Sequence, residues 1–413
     1  MRIELKSFQT IASRDVLERL AEARESVSRG RLQAVVLSAP TGSGKTIAVG
    51  SVIDQTFGGG EGITARPDTV FLWLSDSPEL NAQSKAKLVN ACDNLPFHRM
   101  VTIESANFDA EKLSAGHLYF INTQLLGRDK RLTQDGDERE FTFWRTVANT
   151  IADAPQDFVL IIDEAHRGAA ANDRTRVPIM QKFILGSEID GLPPVPLVLG
   201  MSATPQRFTA LLGNTNRSQH PVNITAEDVR SSGLLKDMII VHNPQTVATA
   251  DLTMLEEAAR RWNAFTHVWR EYCQKEGDET VRPILVVQVE DGSDQAVTRS
   301  PLSDAVRVIE RQMGTLTVNE IVHCFNDRDD LEIADRIIRK IEPSRVQETP
   351  EVKVVFFKTA LSTGWDCPRA EVMMSFRRAQ DPTNIAQLVG RMIRTPLARR
   401  IAADEVLDTV ELF

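Results

Sequence analysis

The sequence lacks several features that would place it in other classes of protein. Its four cysteines are scattered over 413 residues without a CxxC pair, which argues against both a zinc site and a disulfide framework. No apolar run is long enough to span a bilayer, and the first residues do not resemble a signal peptide. The net charge of −9 argues against a protein coated in basic residues but leaves room for a local basic groove. We therefore expect a cytoplasmic protein without membrane contact.

The sequence does contain a glycine-rich loop between a predicted strand and a predicted helix. The loop, Ala-Pro-Thr-Gly-Ser-Gly-Lys-Thr, covers residues 39–46 and has alanine where the strict phosphate-loop pattern has its first glycine. An incidental Gly/Ser turn is the alternative. Glycines at such a junction let backbone N–H groups surround a phosphate, and the helix N-terminus adds positive charge. The loop therefore predicts ATP and Mg²⁺ as ligands, with Lys45 on the outer phosphates and Thr46 on the metal. The nucleotide-binding residues of the loop would be Thr41, Gly42, Ser43, Gly44, Lys45 and Thr46.

A carboxylate pair follows the most apolar predicted strand, 158–162, which should be central in its sheet. Asp163-Glu-Ala-His166 thus begins where open α/β sheets place their chemistry. In a phosphoryl-transfer site, Asp163 would hold Mg²⁺ through water and Glu164 would polarise the attacking water. The alternatives are an acidic helix cap and an HxxE-type metal site, but His166 has no partner histidine at helical spacing.

Other candidate residues are assigned by their position relative to these motifs. Ser202 and Thr204 follow the predicted strand 195–200, where their hydroxyl groups could bond His166 or its neighbours; a strand-to-turn cap is the alternative. Gln9, upstream of the glycine loop, could bond the adenine edge with its amide, although a surface glutamine is the simpler interpretation. We also predict an amphipathic helix from Ser13, as its cap, to Val27.

Short apolar strands alternate with helices along the chain, which predicts parallel sheets with helices on both faces. We expect a first α/β domain over residues 1–225, a connecting strand and long helix over 226–280, and a second α/β domain over 281–413. Within the second domain, the spacing of apolar residues predicts a helix over 330–341. The chain ends directly after a predicted strand at 407–413, which suggests that it is part of a longer protein.

Two arginines near the C-terminus could complete a nucleotide site. Arg391 and Arg394 lie in a predicted helix over 383–393 and the residue after it, and their spacing of three places both on one helix face. A phosphoryl-transfer site needs cations near the γ-phosphate, and an arginine finger is worth about 10³–10⁵ in rate. We expect the nucleotide to lie between the two domains, so that the second completes the site when the cleft closes. The alternative is that Arg391 and Arg394 form a solvated or acid-paired surface with no part in a nucleotide site.

Taken in order, the segments 39–46, 163–166, 202–204 and 387–394 resemble motifs I, II, III and VI of superfamily 2 helicases and translocases. Phe8-Gln9 is similar to the adenine-reading glutamine motif. Leu361-Ser-Thr-Gly-Trp-Asp-Cys-Pro368 resembles motif V, and its Gly-Trp-Asp form most resembles the restriction subunits of type III restriction enzymes. The resemblance implies an α/β fold with two RecA-like parallel-sheet domains in tandem. It also implies catalytic roles for Lys45, Glu164, Arg391 and Arg394, nucleotide-site roles for Gln9, Gly364, Asp366 and Gln387, and coupling roles for His166, Ser202 and Thr204.

The resemblance implies a nucleic-acid-stimulated ATPase that moves along or unwinds duplex DNA, in restriction or another defence against foreign DNA. DNA is favoured over RNA only through the type III resemblance. Basic residues at 128–131, 377–378 and 391–400 are candidates for a phosphate track. No nuclease or base-reading module is visible in the sequence, so a partner subunit or an additional domain would supply cleavage or specificity. The alternatives are an RNA helicase, an ATP-gated nucleic-acid clamp with little turnover, and a nuclease subunit.

Overall fold

The fold was obtained as a computed structural model, in which the chain divides into two compact units. We call Met1–Asp228 the N-terminal unit and Val229–Phe413 the C-terminal unit. The structure describes residues 1–106, 108–134, 139–163, 176–213, 215–242, 250–292, 297–326, 328–333, 336–358, 365–377, 388–401 and 404–413. No helix within these ranges is both long enough and apolar enough to cross a bilayer.

The N-terminal unit is built on a seven-stranded sheet whose pairings are all parallel among the described residues. The strands are β1 (Gln33–Ser38), β2 (Val70–Ser75), β3 (Met100–Thr102), β4 (Leu118–Asn122), β5 (Phe158–Asp163), β6 (Leu197–Ser202) and β7 (Ser218–Asn223). Their order across the sheet is β3-β4-β2-β5-β6-β1-β7. The helices are α1 (Ser7–Val27), α2 (Lys45–Gly58), α3 (Pro78–Ala91), α4 (Phe143–Asp153), α5 (Arg176–Leu185) and α6 (Pro205–Gly213), and α7 (Ala226–Ser231) lies at the division between the units.

The predicted central position of the most apolar strand is confirmed, since β5 is the fourth of the seven strands. Its apolar residues, Phe158 to Ile162, are completely buried. Strands covered on both faces consist of continuous apolar runs, which is why this segment shows no polar alternation. Because the strands are parallel, their carboxyl ends lie along one edge of the sheet. The glycine loop follows β1 at that edge, and Asp163 and Ser202 end β5 and β6 there.

The C-terminal unit contains an eight-stranded sheet in the order β11-β12-β10-β13-β9-β14-β15-β8. Its strands are β8 (Met238–Val241), β9 (Ile284–Gln288), β10 (Ile321–His323), β11 (Leu331–Ile333), β12 (Arg336–Lys340), β13 (Val354–Phe357), β14 (Ala370–Ser375) and β15 (Thr409–Leu412), and its helices are α8 (Ala250–Glu276) and α9 (Leu302–Met313). The edge pair β11-β12 is antiparallel, and the other described pairings are parallel. The long helix predicted as a connection is α8, and it packs on this sheet through Trp262 and Phe265.

The prediction of a helix over residues 330–341 is wrong, because this segment contains the strands β11 and β12. The spacing of its isoleucines fits a helix, but β-branched side chains also favour strands. In β12, Ile338 is completely buried in the core while Ile337 is about half exposed, which is the alternation of a strand. Parallel pairing with β10 supplies the backbone partners. Pairing with β10, rather than the spacing of the isoleucines, therefore decided the conformation of β12.

The first helix begins earlier than predicted, at Ser7 rather than near Ser13. The backbone N–H of Lys6 donates a hydrogen bond to Gln9 Oε1 at 3.0 Å, which satisfies a group at the start of the helix. Ser13 is buried inside α1, and its hydroxyl group donates to the carbonyl oxygen of Ala48 in α2 at 3.0 Å. The predicted capping role of Ser13 is therefore wrong, and Gln9 lies within the first turn of the helix.

Gly200, in β6, has no room for a side chain. An added Cβ would lie 2.1 Å from Cε1 of the buried Phe208. We expect Gly200→Ala to lower the free energy of unfolding by about 1–3 kcal/mol, because overpacking forces the ring or the strand to move. Gly213→Ala is the matched control, since its Cβ would meet no atom within 4 Å. Thermal denaturation measures both variants, and equal melting temperatures would contradict the prediction.

Candidate functional site

The glycine loop joins the end of β1 to the start of α2, so the predicted order of strand, loop and helix is confirmed. Gly42 and Gly44 have φ angles of +86° and +77°, which side chains with a Cβ rarely adopt. Gly44 is the N-cap residue of α2. The first N–H groups of a helix have no partner within the helix, and the helix dipole makes this end positive. The loop therefore has the backbone geometry of an anion site.

Lys45 is the first residue of α2 and is only 9% exposed. Its ammonium group donates a hydrogen bond to the carbonyl oxygen of Ala39 at 3.3 Å, so the side chain folds back over the loop. The N–H of Ala39 donates to the carbonyl oxygen of Ser202 at 3.0 Å. The loop is thus hydrogen-bonded both to its own lysine and to the end of the neighbouring strand β6.

Gln9 lies directly against the glycine loop. Its Nε2 donates a hydrogen bond to the carbonyl oxygen of Ser43 at 2.9 Å, and its side chain is buried. A Cβ at Gly44 would lie 2.5 Å from the same Nε2, so glycine is required for this close approach. The structure therefore places Gln9 at the loop rather than on an open surface. Its contact with adenine stays a prediction.

Asp163 and Ser202 lie at the same edge of the sheet as the loop. Asp163 is 8% exposed and pairs across the sheet with Met201. Ser202 is buried, and its Oγ accepts a hydrogen bond from the N–H of Thr204 at 3.0 Å. This bond corresponds to the strand-to-turn cap, which was the alternative interpretation of the sequence. The side chain of Thr204 is exposed, and its coupling role stays a prediction. Four predicted site residues lie outside the described residues: Glu164, His166, Gly364 and Gln387.

In the C-terminal unit, Arg391 and Arg394 both contact the chain just before β14. We call residues 388–395 the arginine segment. Arg391 Nη1 donates to the carbonyl oxygen of Trp365 at 2.5 Å, and Arg394 Nη1 lies 2.5 Å from Asp366 Oδ2. The side chains converge on adjacent residues of the segment that resembles motif V.

The prediction that these arginines share a helix face is wrong. Residues 388–389 are helical, but residues 390–392 form a turn, and Arg394 pairs with Leu235 in an isolated antiparallel bridge. Pro396 disfavours helical geometry in the residue before it, which is consistent with an extended backbone at this point. Most of the predicted helix over 383–393 lies outside the described residues. The arginines are therefore brought together by a shared partner segment rather than by helical spacing.

A buried charged pair that the sequence motifs did not indicate lies beside the arginine segment. Lys236 Nζ lies 2.9 Å from Glu371 Oε1, and neither side chain has any exposed surface. The indole Nε1 of Trp269 donates to Glu371 Oε2 at 2.6 Å. Burial lowers the pKa of Lys236 and raises the pKa of Glu371, because both charged forms lose hydration. A glutamate inside the otherwise apolar stretch Ala370–Met374 of β14 was the available signal in the sequence.

Besides Arg394, three further arginines of the predicted phosphate track are paired with carboxylates. Pairs of this kind at an exposed surface contribute about 0–1 kcal/mol, so phosphate groups could compete with them. Arg378 lies outside the described residues. The pairs are Arg377–Asp291 at 2.8 Å, Arg400–Asp237 at 2.6 Å and Arg399–Asp278.

Comparisons with known proteins bear on both units. Residues 2–207 match the family described as type III restriction enzyme, res subunit. Among solved structures, the chain is similar to the DUF1998 helicase MrfA bound to DNA and AMPPNP, with a TM-score of 0.54, 14% identity, and coverage of 95% of this chain and 47% of that chain. It is also similar to the ATP-dependent Type ISP restriction-modification enzyme LlaBIII bound to DNA (TM-score 0.52, 12% identity, coverage 99% and 27%). The DEAD-box helicase Mss116 bound to ssRNA and UDP-BeF gives a TM-score of 0.52 at 12% identity, with coverage of 99% and 69%. No curated protein sequence matches the chain.

These likenesses define the fold of the chain. The chain has the fold of two RecA-like domains in tandem, which is the core of superfamily 2 helicases and translocases. Its residues 2–207 are similar to the type III restriction enzyme res subunit family. The chain spans about half the length of MrfA and about a quarter of LlaBIII. At 12–14% identity, the structural likeness establishes the fold, while the chemistry is argued from the residues.

Proposed function

We propose that this protein is a nucleic-acid-stimulated ATPase that moves along or unwinds duplex DNA. The observation that carries the proposal is the loop over residues 39–46, where two glycines with positive φ, a helix N-terminus and the buried Lys45 meet. Backbone donors in this arrangement bind a phosphate without specificity for the rest of the ligand. The match of residues 2–207 to the res subunit family supports ATP as that ligand.

The residues at the carboxyl edge of the first sheet fit the chemistry of ATP hydrolysis. Oxygen ligands are those that Mg²⁺ prefers, and Thr46 and Asp163 would supply a hydroxyl and a carboxylate oxygen. Mg²⁺, when bound, neutralises charge on the β- and γ-phosphates. Lys45 would bind the outer phosphates, and Glu164 would orient and polarise the attacking water. Hydrolysis then requires cations at the γ-phosphate in addition to Lys45.

Arg391 and Arg394 are the proposed source of those cations, acting as finger and sensor. A guanidinium group presents several donors in a fixed plane, which suits the oxygen atoms of a phosphoryl group in transit. Asp366, which holds Arg394, would tie this arginine to the segment that responds to nucleic acid. We therefore propose that closure of the two units on ATP couples nucleic-acid binding to hydrolysis.

Duplex DNA is the proposed substrate, and defence against foreign DNA is the proposed setting. The family match supports both, since it is to a restriction enzyme subunit. The fold does not discriminate, because MrfA and LlaBIII are bound to DNA whereas Mss116 is bound to ssRNA. A partner subunit or an additional domain would supply sequence specificity or cleavage, since contacts to the sugar-phosphate backbone do not read sequence.

ATP turnover measured with duplex DNA, single-stranded DNA and RNA tests the proposal. We expect duplex DNA to raise kcat most, and removal of Mg²⁺ with EDTA to abolish turnover. The stimulation should weaken as salt rises, because phosphate contacts release counterions, so each series is run at several salt concentrations. Stimulation by RNA alone would favour an RNA helicase. ATP binding with no turnover under any condition would favour a clamp and contradict the proposal.

A further inference from the structure

The arginine segment is bonded on one side to the short stretch of chain that precedes β8. Leu235 forms an antiparallel bridge with Arg394, and the N–H of Lys236 donates to the carbonyl oxygen of Ile393 at 2.7 Å. The hydroxyl group of Thr395 donates to the carbonyl oxygen of Gly233 at 3.1 Å. These bonds fix the backbone from which the Arg394 side chain extends.

On its other side, the arginine segment is bonded to the chain that leads into β14. The two arginine side chains contact Trp365 and Asp366, and the N–H of Cys367 donates to the carbonyl oxygen of Arg391 at 3.3 Å. The next residue, Pro368, accepts a hydrogen bond from the ammonium group of Lys236 at 3.3 Å. Lys236 therefore links two segments: its backbone N–H bonds the arginine segment, and its ammonium group bonds the chain before β14.

The ammonium group of Lys236 is held in place by a partner from β14. Glu371 lies 2.9 Å away, and its second oxygen accepts from Trp269 of α8, which ties the pair to the scaffold of the unit. The buried carboxyl group of Asp408 adds negative charge near Lys236, and its oxygen atoms accept from the N–H of Ile401. Transferring two ions into an interior costs several kcal/mol per ion, and an apolar pair of similar size is often as stable. Stability alone is therefore a weak reason for a fully buried pair at this position.

We propose that Lys236 is a positioning residue, which locks the arginine segment against residues 365–368 so that Arg391 and Arg394 are presented in one fixed orientation. The expected effect on kcat rests on the proposed ATPase function. The positioning of the arginine segment is argued only from bonds within the C-terminal unit. Displacing a reacting group by about 1 Å costs about 10²-fold in rate. We therefore expect loss of the Lys236 link to lower kcat without a matching change in the KM for ATP.

The test replaces both members of the buried pair, in the variant Lys236→Met with Glu371→Met, so that neither ion is left alone in the core. We expect a melting temperature at or above that of the parent chain, a kcat for nucleic-acid-stimulated hydrolysis lowered by about 10²-fold, and a KM changed little. Hydrogen exchange of the peptide that contains residues 388–395 should be faster than in the parent chain. Glu371→Gln, which is nearly isosteric, provides a second variant with the same expected direction if the double variant fails to fold.

The matched control is the variant Lys353→Met with Glu320→Met, which removes another lysine–glutamate pair of the same unit, in contact at 2.5 Å. We expect it to leave kcat and the exchange of residues 388–395 at their parent values. A folded Lys236/Glu371 variant with parent kcat in an active enzyme would overturn the inference. If the parent chain shows no ATPase activity, the proposed function fails, and the exchange measurement still decides whether Lys236 positions the segment. Unchanged hydrogen exchange of residues 388–395 would overturn the positioning role of Lys236.

Discussion

Replacing Arg391 and Arg394 together by alanine is expected to lower kcat for ATP hydrolysis by about 10³–10⁵-fold, the range measured for arginine fingers. The loss should appear in kcat rather than in the KM for ATP, because the guanidinium groups are proposed to meet charge that develops only in the transition state. Steady-state kinetics with saturating nucleic acid provides both constants. Binding of a non-hydrolysable ATP analogue should change little.

Two controls separate catalysis from folding in that experiment. Alanine removes the bonds to Trp365 and Asp366, so the variant's melting temperature is measured beside its kinetics. Arg307→Ala is the matched control, since Arg307 is an exposed arginine of the same unit that pairs with Asp304 at 2.8 Å and lies outside the candidate phosphate track. We expect it to retain parent kcat. If the double variant also retained parent kcat, the arginines would be an acid-paired face with no part in hydrolysis.

Lys45→Ala is expected to lower ATP turnover by at least about 10²–10³-fold, the cost of removing one preorganised donor from a reacting oxyanion. Unlike the arginine variant, this variant should also bind ATP more weakly, because the lysine is proposed to contact the phosphates before and during reaction. Isothermal titration with ATP and Mg²⁺ measures the affinity, and steady-state kinetics measures the rate. A parent rate in the folded variant would mean that the glycine loop is an incidental turn.

The control for Lys45 must account for its place in the loop. The ammonium group bonds Ala39, so alanine also removes a hydrogen bond of the folded chain. Lys45→Met keeps most of the side-chain volume and should show the same loss of turnover. Lys112→Ala removes an equal charge from the N-terminal unit, where Lys112 pairs with Asp153 at the surface, and we expect it to retain parent activity.

The sequence was sufficient where a short segment fixes its own conformation. The glycine loop, the apolar strand β5 and the helix α2 follow from residues adjacent in the chain, since a tight turn needs glycine and a doubly covered strand needs a continuous apolar run. Motif order then indicated tandem RecA-like domains, and the topology and the family match agree with it. These features are local, so their physical cause is contained in the segment itself.

The tertiary structure decided what depends on distant partners. The segments 331–333 and 336–340 are strands because they pair with each other and the second also pairs in parallel with β10, although the spacing of their isoleucines also fits a helix. Arg391 and Arg394 converge through Trp365 and Asp366 rather than through a helix face. The buried pair of Lys236 and Glu371 joins residues 135 positions apart, so no local pattern could have predicted which residue Glu371 contacts. The sequence by itself determined which segments are the candidates for phosphate chemistry. Only the folded chain decided what holds the arginines, because hydrogen bonds between distant segments exist only after the sheet has formed.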